Sequence, residues 1–111
     1  MQVKRACVDV PAWLVEQHLD VYAMEVFGDC CAPEIRPGEH VLVSPKAPIN
    51  PGGYICYNTP VNRLRMPLVG RVNAVYADVL SVGEHHNPVE VCNVLGVVVG
   101  VVDAQGVTRQ I

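Results

Sequence analysis

Cys30 offers the most chemistry in this chain. It follows Gly28-Asp29, which ends a run of strand-forming residues from Val21 to Phe27, so the thiol stands at the head of a turn. A thiol is intrinsically nucleophilic and partly ionised near neutrality, so it can react without strong assistance. Turnover needs more, a neighbour that takes up and returns a proton. A lysine kept neutral by burial can do this, but the only lysines are Lys4, in the N-terminal arm, and Lys46, in the loop Ser44-Pro45-Lys46-Ala47-Pro48. Asn62 cannot accept a proton and Arg63 stays charged in any protein environment. His40 is the imidazole through which Cys30 could still act.

Metal chemistry would draw on some of the same residues. Cys30, Cys31, His40, Cys56, His85, His86 and Cys92 are competent ligands. None forms the paired two-residue spacing of a zinc ribbon, and neighbours such as Cys30-Cys31 or His85-His86 point apart in an extended chain. No metal and no other cofactor is expected. His85-His86, ahead of Asn87-Pro88, reads as a solvated loop, His40 as a strand residue, Cys31 as a packing residue and Trp13 as a core anchor.

The elements that must position these groups are short strands. Val21–Phe27, His40–Val43, Tyr54–Tyr57, Val61–Met66, Leu68–Tyr76 and Asp78–Val82 are rich in β-formers and separated by turn signals such as Pro37-Gly38 and the cluster Pro48 to Gly53. Glu84 to Pro88 is a polar loop. Val89 to Val102 is an apolar run broken by Gly96 and Gly100, followed by a turn at Asp103 to Gly106 and a last short strand. Near the start, Asp9 to Leu19 predicts a short helix, with Pro11 near its first position. The expected class is mainly β with a short N-terminal helix, organised as an arm over residues 1–20 and one domain over 21–111.

The stretch Gly28-Asp29-Cys30-Cys31-Ala32-Pro33-Glu34-Ile35-Arg36-Pro37-Gly38-Glu39, with Asn62-Arg63-Leu64 later, resembles the catalytic domain of LexA, UmuD and the self-cleaving phage repressors. In that serine/lysine peptidase family, related to signal peptidases, the nucleophile sits in Gly-Asp-Ser-Met-x-Pro-x-Ile-x-x-Gly-Asp. Cys30 stands at the serine, Cys31 at the methionine, Pro33, Ile35 and Gly38 match, and Glu39 replaces the second aspartate. The family's general base opens a Lys-Arg-Leu run, and Asn62 stands at that lysine.

The resemblance spans roughly residues 20 to 103. It implies the LexA-like β-clip, a twisted, partly rolled sheet. It also implies self-cleavage at an Ala-Gly or Cys-Gly bond ahead of the domain, yet neither dipeptide occurs between Met1 and Gly28. Nucleophile type, base and cleaved bond all depart from the pattern. The expectation is therefore a catalytically inactive relative, a pseudo-peptidase serving as an oligomerisation or protein-interaction module in bacterial or phage regulation. One alternative is a cysteine-variant peptidase, cleaving itself or a partner through Cys30. The other is an accessory subunit of an error-prone polymerase, as in UmuD and the SOS response.

Two surfaces follow as candidates. Cys30, Cys31, Asn62 and Arg63 would line a peptide cleft, in which an extended partner adds as a strand. Val97, Val98, Val99, Val101 and Val102 would form a dimer or larger assembly, as the last strands do in the family. A valine run buried on both faces inside one subunit explains the same residues equally well.

Composition narrows the rest. The chain has 111 residues, half of them apolar, enough for one domain with a modest core. A net charge of −3 with eight scattered basic residues gives no phosphate-binding stripe, and about twenty residues precede the motif frame, too few for a helix-turn-helix head. Direct nucleic-acid binding is not expected. No secretory signal is expected either, and the most apolar uncharged run, Val91 to Val102, is well short of the roughly 20 residues that cross a bilayer. Five cysteines at irregular spacing do not suggest a disulfide framework, so a reducing cytoplasm is expected.

Overall fold

A computed structural model of the chain describes residues 2–6, 8–27, 34–58 and 67–111. The protein is mainly β. Its described elements are β1 (Gln2–Ala6), α1 (Ala12–Gln17), β2 (Tyr22–Phe27), β3 (His40–Ser44), β4 (Tyr54–Tyr57), β5 (Leu68–Tyr76), β6 (Val79–Val82), β7 (Asn87–Glu90), β8 (Val94–Val102) and β9 (Thr108–Gln110). All pairings are antiparallel, in the order β1-β2-β3-β8-β4-β5-β6-β7, with β9 beside β8. The sheet curls until its first strand reaches its sixth. Gln2 opposes Leu68 of β5, and the Val3 N–H donates to the Pro67 carbonyl at 2.9 Å.

Curling gives several strands two buried faces. Val41, Val43, Tyr54, Cys56, Val98 and Val101 point inward with Val3, Met24, Val26, Ile35 and Val69. Their neighbours point outward, Leu42 and Val102 under α1 and Ile55 and Tyr57 against the β5–β7 sheet. Strands buried on both sides read as unbroken apolar runs, which is why β8 is almost all valine. β8 is a central strand, flanked by β3 along one edge and by β4 and then β9 along the other. Two of its residues bulge, since Val99 and Leu95 lack partners in the ladders with β3 and β4.

Gly96 permits the tight crossing of β8 on β3. A Cβ there would lie 2.7 Å from both the Ser44 carbonyl oxygen and Val43 Cγ1. At the far end, the phase of the β6–β7 ladder is set by the Val91 N–H donating to Asp78 O at 2.9 Å. Pro88 therefore faces outward, and an edge residue without an N–H discourages further strand pairing at β7.

The helix is shorter than the sequence suggests, and β1 was not anticipated. α1 has Pro11 as its N-cap and no capping side chain, so packing of Leu14, fully buried against Ala23, Leu42 and Val102, is its main anchor. Trp13 is not a core anchor. It is 42% exposed, because the helix turns Leu14 inward instead. The arm is part of the sheet, since all of β1 pairs with β2 and Val3 is fully buried. Among the described residues, no helix is long and apolar enough to cross a membrane.

Two substitutions check this packing. Gly96→Ala should lower unfolding free energy by about 2 kcal/mol in a urea titration, since the added methyl meets backbone. Ala77, first residue of the two-residue turn joining β5 to β6, has φ 49°, so Ala77→Gly should raise stability by about 1 kcal/mol.

Candidate peptide cleft

Both motif segments open from one seam. Phe27, the last residue of β2, and Leu68, the first of β5, each oppose Gln2. The chain thus leaves β2 and enters β5 on the two sides of β1, at the same end of the curled sheet. Cys30, Cys31, Asn62 and Arg63 lie outside the described residues, as do Val61–Met66 of the expected strand. What can be described is the frame around them.

The later half of the first motif is firmly held. Ile35 is fully buried in the interior, the Gly38 N–H donates to Val26 O at 3.1 Å and the Val26 N–H to Glu39 O at 2.9 Å. Gly38 turns the chain at φ 84°, where a side chain would be strained. Glu39, only 7% exposed, accepts the Arg36 N–H at 2.7 Å and both Arg109 N–H groups, at 3.0 and 3.2 Å. The Arg109 guanidinium holds the Glu39 carboxyl below its ordinary range, although burial works the other way. It also donates to the Glu34 carbonyl. A planar fork suits this, since two oxygens of one carboxylate and a third acceptor are met at once.

Two clefts flank this turn. One, about 410 Å³, is lined by Tyr54, Tyr57, Gly70, Arg71, His85 and His86 among others. The other, about 490 Å³, is lined by Arg36, Asp103, Gln105 and Arg109. Glu34 borders both, and its carboxylate accepts the Tyr54 hydroxyl. The first cleft falls within the volume range of ligand-binding clefts and has a lining of mixed polarity.

The other groups with chemistry to offer are dispersed. Lys46 is 83% exposed and pairs with Asp20 at 2.9 Å, which raises its pKa, the wrong direction for a neutral amine base. His40 shares a sheet face with Leu42, opposite the interior face of Val41 that Ile35 packs against. Cys56 is buried in the interior, its thiol pushed up to about 12 by desolvation, while Cys92 is exposed on a short 3-10 turn. His85 and His86 are exposed, and the His86 ring reaches Ser81 at 3.2 Å and Asn73 at 3.4 Å. Among the described residues no three His, Cys, Asp or Glu side chains gather as a metal site would require.

Val98, Val101 and Val102 are buried within the subunit, so they are not on the surface it presents, and Val97 and Val99 are half-buried. Sequence reasoning missed Arg109 and the Glu34–Tyr54 pair. The one hint was the acidic residue at position 39, whose partner lies seventy residues further on. No family model, curated protein or solved structure matches the chain.

The Glu39–Arg109 pair predicts an acid limb. Glu39's folded pKa lies below its ordinary 4.5, so its stabilisation is complete above that pH and is lost as pH falls through the folded value. Below pH 4.5 the melting temperature of the protein should fall more steeply than that of Glu39→Gln, and parallel curves would show that the pair contributes nothing.

Proposed function

We propose that this chain is a LexA-like β-clip domain without peptidase activity, a cytoplasmic protein-interaction or oligomerisation module of bacterial or phage regulation. The observation that carries the reading is the seam. Phe27 and Leu68, which flank the two motif segments, both pair with Gln2, as a cleft built from a nucleophile segment and a base segment requires. Further support comes from Glu39, the counterpart of the motif's second acidic residue, which is buried and structural rather than solvated.

The chemistry supports loss of turnover. Asn62 cannot take a proton from Cys30, and Lys46 is charged, exposed and bound to Asp20. His40 lies on the other face of its strand from the interior side. In this reading the cleft lined by Tyr54, Tyr57 and Arg71 accepts an extended peptide without cutting it. Self-association would use surfaces other than Val98, Val101 and Val102, which the subunit's own core occupies.

Intact mass after prolonged incubation across alkaline pH tests the inactive reading. The protein should remain whole, whereas self-cleavage that disappears in Cys30→Ala would establish a cysteine peptidase. Light scattering at high micromolar concentration tests the assembly reading, with a strict monomer counting against it.

A further inference from the structure

We propose that Arg109 is a positioning residue for the cleft, and that the hairpin of β8 and β9 acts as a strap setting the cleft's wall from behind. The inference rests on the reading above only for what the cleft binds. Glu34 is the shared wall of the two clefts. From the rear cleft Arg109 takes its carbonyl, and from the front cleft Tyr54 donates to its carboxylate. A displacement of Arg109 is therefore felt at Tyr54, across one residue.

The strap is lightly held apart from that guanidinium. β9 pairs with β8 over only three residues, Thr108 to Gln110, and reaches α1 through one bond, Gln110 Nε2 to Gln17 Oε1 at 3.4 Å. Its turn is shaped internally, the Asp103 carboxylate accepting the Gln105 N–H at 3.0 Å and the Val107 N–H at 2.9 Å. Val107 and Ile111, which flank the strand, are 60% and 46% exposed and do not anchor it in the core. What fixes β9 to the motif turn is Arg109 on Glu39 and on Glu34 O.

Loss of Arg109 should act on part of that turn only. Gly38 and Glu39 stay tied to Val26, and Ile35 stays buried. The Glu34 carbonyl, by contrast, loses its partner, and the Glu39 carboxylate that accepts the Arg36 N–H loses the cation that orients it. The freedom gained is then confined to Glu34 and the Arg36 amide, on either side of the buried Ile35. A partner that lifts β9, or engages the guanidinium, would change the cleft on the other side of Glu34 without entering it.

Amide exchange and tyrosine-ring NMR on the full chain test this. Arg109→Met should speed exchange of the Arg36 amide about tenfold, as expected for loss of a charge-assisted contact, while Gly38 and the β5–β7 amides keep their protection. It should also shift the Tyr54 ring signal, assigned with Tyr54→Phe, in the manner of Glu34→Gln. If Arg109→Met does not fold, Arg109→Lys, which keeps the charge but cannot span all three acceptors, should show both effects at smaller amplitude. Uniform loss of protection along the chain, or an unmoved Tyr54 signal, would overturn the proposal. Neither readout needs a bound peptide, so a self-cleaving domain would sink the functional reading and leave this test standing.

Discussion

Gln2 is the residue on which the arrangement depends, because its backbone is shared between Phe27 on one side and Leu68 on the other. An open sheet of this order would keep β2 and β5 four strands apart. Closure through β1 brings their ends together and encloses Val3 with Met24, Val26, Ile35 and Val69 in an apolar interior. The energy for that closure comes from apolar burial on both faces of β3, β4 and β8, and each buried aliphatic side chain contributes about 1.5–3 kcal/mol relative to exposure.

A frame built this way holds its shape without any catalytic group. The turn from Glu34 to Glu39 is fixed by Ile35, by backbone bonds to Val26 and by the Arg109 fork, none of which needs a nucleophile or a base. On the proposed reading, an exchange of reactive residues at Cys30 and Asn62 is compatible with a retained cleft. Functions that rely on shape and exposed backbone outlast functions that rely on proton transfer, since the second kind fails when one titratable group is lost.

Much of the fold was legible in the chain. β2, β3, β4, β5 and β6 are β-branched or aromatic runs bounded by glycine, proline or asparagine, and local chemistry suffices to find them. β1 was not, because Gln2-Val3-Lys4-Arg5-Ala6 carries one large apolar residue and its strand state comes from partners twenty residues away. The valine run of β8 showed burial on two faces, but whether a second subunit or this subunit's own layers supplied it was a question of topology. Of the candidate site, the motif turn was visible as spacing, whereas Arg109 was invisible, since nothing local marks an arginine in a final strand as the partner of a glutamate seventy positions earlier.

The central proposal is that nothing activates Cys30 as a nucleophile. The direct measurement is the rate at which Cys30 is alkylated at neutral pH in the folded protein, resolved from the other cysteines by peptide mass mapping. The prediction is a rate no greater than that of free cysteine. Alkylation far faster than free cysteine, abolished by replacing His40 or Lys46, would reveal a working base and contradict it.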